Sequence, residues 1–185
     1  MSSLLKSQTN YNQTKELFTT DGEYLNQSVT FEKSFVLDKV YIRFEDIRID
    51  PINDVKFRIE VRGNISPDNL IDLSLSPLVF SSWTTDSALD PDAPGPSYFD
   101  LNSFELSPGT YWFSIVPNRR CTGNLISYQR GGEFTEKFLH YKYGTGMYRT
   151  DCSLYLDIWG WWGTEVARNT TLEEANIVTT LRDET

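Results

Sequence analysis

The run LSPGTYWFSIVP, residues 106–117, constrains the fold of this chain more than any other segment. Its Pro-Gly pair turns the backbone, because proline presets φ and glycine accepts a positive φ. The residues after it, Tyr111, Trp112, Phe113 and Ile115, suit a pleated, half-buried surface. VKFRIEV at 55–61 repeats the signal more cleanly. There Val55, Phe57, Ile59 and Val61 alternate with Lys56, Arg58 and Glu60, with Arg62 continuing the charged set, so a period of two separates an apolar face from a charged one. SLYLDIW at 153–159 gives a third strand.

Amphipathic strands recur along most of the chain. Val29, Phe31 and Phe35 alternate with Glu32 and Ser34, and Val40, Ile42 and Phe44 do the same within VYIRFEDIRI. Turn chemistry in DPIND (50–54) and GNISPDN (63–69) separates these segments, and the proline-rich acidic stretch DSALDPDAPGPS (86–97) reads as an exposed loop. About ten strand candidates with no convincing helix between them predict an all-β fold, an antiparallel β-sandwich of two packed sheets. Residues 1–16 are polar and aperiodic and read as an N-terminal arm, which puts the sandwich domain at 17–163. Residues 164–185 leave the β pattern. Thr171 and Glu174 have capping-box spacing, and Leu172, Ala175, Ile177, Val178 and Leu181 form a loose apolar face, so this segment reads as a C-terminal arm or short helix.

Charge excludes several partners. A net charge of −9, with Arg119-Arg120 as the longest basic cluster, disfavours nucleic acid and anionic membrane surfaces alike. No apolar run approaches the roughly 20 residues of a membrane-spanning helix, so no membrane insertion is expected. The first 16 residues also lack the apolar stretch of about 7–15 residues found in a secretory signal, and synthesis in a cytoplasm is the resulting expectation. Cys121 and Cys152 fit no zinc-ligand spacing and are read as reduced thiols, with a single bridge between their strands left open.

Catalytic signatures are weak. His140 is the only histidine, and it falls in the strand KFLHYKY. Glu133 with Glu136, or Asp46 with Asp50, have the residue types of a glycosidase acid–base pair, but carboxylates are too plentiful here for that to discriminate. Asp90 with Asp92, or Asp50 with Asp54, have short spacings compatible with a structural calcium ion, and neither loop fits the EF-hand template. Gly144 and Gly146 lack the following helix that would aim amides at a phosphate. The expectation is a non-enzymatic chain without a cofactor.

Aromatic residues are the remaining chemical signal, at 14% of the chain, with Trp159, Trp161 and Trp162 clustered in IWGWW and Tyr141, Tyr143 and Tyr148 flanking Gly144 and Gly146. Most belong to a core by default. Trp161, Trp162, Tyr143 and Tyr148 are the candidates for contact with a glycan or a partner, because exposed rings stack on the apolar faces of sugars.

The succession SFVLDKVYIRF, VKFRIEV, a long loop, FELSPGTYWFSIVP and SLYLDIWG resembles the jelly-roll modules of bacteriophage virion proteins and of carbohydrate-binding domains, over residues 28–160. The resemblance brings no catalytic residue with it. It implies a jelly-roll-like sandwich and a role in capsid decoration, tail architecture or adhesion. The expected function is a structural protein of a phage particle, a capsid decoration or cement protein or a tail-associated subunit, made in the host cytoplasm and located in the virion. Its partners would be capsid or tail proteins, and its first-guess assembly a homotrimer. The assembly arm would present Leu172, Ile177, Val178 and Leu181. The alternative is a lectin-like module that binds surface glycans for adhesion.

Overall fold

The computed structural model describes residues 2–8, 13–17, 24–42, 44–47, 56–63, 71, 73–85, 97–118, 124–130, 138–142, 146–150, 152–154 and 156–163. Every regular element among them is a strand, and every strand pair is antiparallel. The first sheet runs β1 (Ser3–Gln8), β15 (Leu156–Trp162), β4 (Phe35–Ile42), β9 (Ser97–Leu106). The second runs β13 (Gly146–Thr150), β12 (Phe138–Lys142), β3 (Tyr24–Phe31), β10 (Gly109–Pro117), β6 (Lys56–Gly63), β7 (Val79–Phe80), with β8 (Thr84–Thr85) also on β6. A third sheet is built where the chain continues beyond the first: β11 (Asn124–Arg130) pairs with β2 (Gln13–Leu17), β5 (Phe44–Ile47) and β14 (Cys152–Leu154).

The first two sheets face each other across one apolar cluster, which makes the fold a β-sandwich. From the second sheet come Leu25, Val29 and Phe31, Phe57, Ile59 and Val61, and Tyr111, Phe113 and Ile115. Phe35, Leu37, Val40 and Ile42, together with Phe99, Leu101, Leu156 and Ile158, meet them from the first. The sets on β6 and β10 occupy alternate positions, as the period of two requires, while β4 steps three positions from Leu37 to Val40 at the register shift with β9. The Pro108-Gly109 turn joins β9 to β10 as its sequence predicts.

One inward position is polar. Gln27 stands opposite Phe113 on the core side of β3 and is fully buried. Its Oε1 accepts the Leu154 amide at 3.0 Å, and its Nε2 donates to the Ser28 carbonyl at 2.9 Å. A buried amide side chain persists when its donors and acceptors are satisfied. This one ties the second sheet to the chain where it passes from β14 into β15.

Within the segment read from sequence as an N-terminal arm, residues 1–16, the structure describes strands. Residues 3–8 form edge strand β1 on β15, and residues 13–17 form β2 on β11. Leu5 enters the core while Leu4 stays exposed, and the register shifts between Leu4 and Lys6. That shift hides the strand from a period-two reading. An edge strand with a single deeply buried side chain otherwise looks like a polar arm, and its hydroxyls serve the ladder: Ser7 Oγ donates to Asp157 Oδ1 at 2.5 Å. The proposed C-terminal arm, residues 164–185, lies outside the described residues.

Gly160 lies near the end of β15, the strand between β1 and β4, where the register of β15 against β4 shifts. A Cβ at this position would lie 1.9 Å from the Val36 carbonyl oxygen and 3.1 Å from Leu5 Cδ1. Backbone cannot yield as a flexible side-chain tip does. Gly160→Ala is therefore expected to destabilise at or above the top of the roughly 1–3 kcal/mol range for overpacked sites, read as a lower urea midpoint. Leu5→Ala is expected to cost about 2–4 kcal/mol in the same assay. A neutral result for Leu5→Ala would return residues 1–16 to the status of an arm.

Candidate functional site

Alternation along β15 sends Leu156, Ile158 and Gly160 inward and Asp157, Trp159 and Trp161 to the outer face of the first sheet. Lys39 of β4 lies beside Trp159 in the ladder, and Tyr41 lies between Asp157 on β15 and Tyr98 on β9. The Lys39 ammonium stands 5.2 Å from the Tyr98 ring centroid and 5.8 Å from that of Trp159. Tyr41 and Tyr98 meet edge to face at 5.2 Å. Cation–π contacts at such partly exposed sites contribute about 0.5–1 kcal/mol each. The consequence is a row of rings held in place by one lysine.

Tyr98 of that row remains open to solvent at 51% exposure, and Trp161, further along β15 opposite Val36, is 39% exposed. Carboxylates flank them. Asp157 Oδ1 accepts from Ser7, and Asp100 Oδ1 accepts the Asn102 amide at 2.8 Å. Asn102 and Ser103 both adopt positive φ, at 56° and 58°, where β9 bulges away from β4 between Leu37 and Lys39. The bulge gives Asp100 its fixed orientation beside Lys39.

Trp162 belongs elsewhere. The sequence groups Trp161 with Trp162, and both are partly exposed, but neighbouring residues on a strand point to opposite faces. Trp162 packs against the end of the core, with centroids 6.2 Å from Phe31 and 6.4 Å from Phe35. Phe31 and Phe35 stack at 3.9 Å, and Tyr111 meets Phe35 edge-on at 5.9 Å. The Tyr111 hydroxyl donates to the Ser107 carbonyl at 2.7 Å, which latches the Pro-Gly turn to the core.

On the outer face of the second sheet the charged side of β6 is folded in. Glu60 is buried and paired with both Arg58 and Arg62, and Arg62 also donates to the Leu75 carbonyl. The Arg58 guanidinium lies 4.8 Å from the Phe80 ring and 4.5 Å from that of Trp83. Across the ladder from Arg62, Trp112 is fully buried with Ile71 and Leu73 against it. Ser114 donates to Asn26 at 2.7 Å beside it. On this face the charges pair with one another, while the Phe80 and Trp83 rings lie over Arg58 and remain partly exposed. The outer face of the first sheet is the candidate site.

Of the residues singled out from sequence, Trp161 alone is placed on that face. Tyr143 lies outside the described residues, as do Leu172, Ile177, Val178 and Leu181. Tyr148 falls in β13 opposite His140, and Cys152 in β14 opposite Arg130, with side chains outside the described residues. Asp46 falls in β5 on the same terms. Cys121, Asp50, Asp54, Asp90, Asp92, Glu133 and Glu136 are also outside. Among the described residues no group of three or more His, Cys, Asp or Glu side chains is arranged to hold a metal ion, and no helix is long and apolar enough to cross a membrane.

Lys39, Tyr41 and Tyr98 are not singled out by sequence reasoning. Alternation does mark the two tyrosines as outward, since they neighbour Val40, Ile42 and Phe99. What it does not supply is the strand order that sets them beside Trp159.

No family model matches the chain, and no curated protein matches it.

Burial pushes the Tyr111 phenol above its ordinary value. The unfolded chain ionises first, from about pH 10, while the folded state keeps its proton. Stability contributed by the neutral phenol is therefore complete below that pH and is lost as pH rises through the folded pKa. Tyr111→Phe is expected to cost about 1 kcal/mol at neutral pH and to melt with a shallower alkaline decline than the parent. Parallel pH–stability curves for the two proteins would show that the hydroxyl is not held as described.

Proposed function

We propose that this chain is a non-enzymatic structural protein of a phage particle, a capsid decoration or cement protein or a tail-associated subunit, located in the virion. One observation carries the reading. Ser3 lies opposite Gly160, so β1 begins and β15 ends at the same end of the first sheet. Residues 164–185, with Leu172, Ile177, Val178 and Leu181, follow in the sequence and would serve as the attachment arm. Supporting it are the jelly-roll resemblance and an acidic charge that disfavours nucleic acid and anionic lipid. The partners would be capsid or tail proteins and copies of the chain itself. Closed cyclic symmetry, with a trimer first, suits a heterologous contact of this kind.

The second reading is a lectin-like module that binds surface glycans for adhesion. It is favoured by the exposed Tyr98 and Trp161 rings on one sheet face.

Light scattering on the purified full chain tests the first reading. A closed oligomer, a trimer by expectation, should fall to monomer when residues 164–185 are removed, with the monomer still folded. A chain that stays monomeric at high concentration and captures no capsid or tail protein would overturn it, as would turnover of a glycoside or ester.

A further inference from the structure

We propose that the outer face of the first sheet is a binding site for a neutral glycan, with Tyr98 and Trp161 as stacking platforms and the Lys39 ammonium and the Asp157 and Asp100 carboxylates as hydrogen-bonding groups. The inference deepens the second reading and does not depend on the particle assignment. It replaces the Trp161–Trp162 pairing read from sequence, because Trp162 is engaged with Phe31 and Phe35 at the end of the core.

The composition of the face selects the ligand. A sugar presents apolar C–H faces edged with hydroxyls, so its site needs aromatic rings interleaved with donors and acceptors. That is the order found across the sheet: Trp159, Lys39 and Asp100 form one row, and Asp157, Tyr41 and Tyr98 the next. Trp159 and Trp161 are two residues apart on β15, and β15 and β9 are separated by β4 alone, so the platform spans about 10 Å between the outer strand axes. This is wider than one sugar ring.

The polar groups are also prepared. Lys39 makes no hydrogen bond to any described residue, and its ammonium is steadied between the Tyr98 and Trp159 rings. Asp157 and Asp100 each have one carboxylate oxygen fixed by Ser7 or by the Asn102 amide, while the other accepts from none of the described residues. Groups ordered before binding lose less freedom when the ligand arrives.

Charge decides between the remaining occupants. Cores of protein–protein interfaces are depleted of charged residues, whereas this face has Lys39, Asp157 and Asp100 at its middle and Glu105 exposed nearby on β9. A second copy of the chain would bring two lysines against four of these carboxylates and bury the excess negative charge. An acidic sugar would meet one lysine against three carboxylates on a chain of net charge −9. A neutral glycan meets neither obstacle.

The test is an array of neutral and acidic glycans probed with the full chain, followed by titration calorimetry on the neutral hits. Saturable binding is expected, weakened at least tenfold by Tyr98→Ala, by Trp161→Ala and by Lys39→Met, and partly restored in Trp161→Phe. Trp161→Ala is expected to leave the melting temperature unchanged, and Tyr98→Ala, which gives up its contacts with Lys39 and Tyr41, to lower it only slightly. Trp162→Ala, by contrast, should leave the affinity intact while lowering the melting temperature. Binding that survives Tyr98→Ala and Trp161→Ala would overturn this site while leaving the lectin reading in place. Absence of binding to any neutral glycan would overturn both. Preference for acidic glycans, or loss of a dimer in the two variants by sedimentation, would also overturn the proposal.

Discussion

The first sheet depends on a place where no side chain fits. β15 lies between β1 and β4, and at Gly160 the Val36 carbonyl occupies the space that a Cβ would take. Close approach there shifts the register against β4 and lets Leu5 of β1 pack over the glycine into the core. The next two residues take their directions from the same point. Trp161 is held to the outer face and Trp162 to the end of the core, against the Phe31–Phe35 stack. One residue without a side chain therefore sets both the edge strand and the direction of the two tryptophans beside it.

The two outer faces differ because their charges find different partners. On β6, Arg58, Glu60 and Arg62 occupy alternate positions, so Glu60 reaches a guanidinium on each side and the set closes on itself beneath Phe80 and Trp83. Burying such a cluster is tolerable only when it is paired. On β4, Lys39 has no carboxylate in ion-pair contact among the described residues, and it rests against rings instead. Pairing makes the face that carries β6 part of the structure. On the face that carries β4 the lysine is steadied by the Tyr98 and Trp159 rings.

Sequence alone carried the core of β6 and β10, because Phe57, Ile59 and Val61, and Tyr111, Phe113 and Ile115, obey an uninterrupted period of two over strands buried on their inner side. It failed at β1, where Leu5 is the only core residue and a register shift breaks the period after Leu4. It also failed at Gln27, since nothing local announces that an inward amide will meet the Leu154 amide 127 residues away. The candidate site was half legible. Period two marks Tyr41, Tyr98 and Trp161 as outward, but their adjacency comes from a strand order of β15, β4 and β9 that only long-range pairing creates.

Particle attachment and sugar binding place compatible demands on this architecture. An open sheet face buries less of a ligand than an enclosed pocket does, so each copy would hold a glycan weakly. Linking sites at fixed spacing turns the second binding event into an intramolecular one and raises avidity without any new contact. A closed oligomer formed through residues 164–185 would supply that spacing. Trp161 lies one residue beyond Gly160, the partner of Ser3, so the ring platform reaches the end of the sheet at which β1 begins. Assembly at this pole would then align several copies of the face around one axis, and the arm would set the strength of adhesion without touching the sugar.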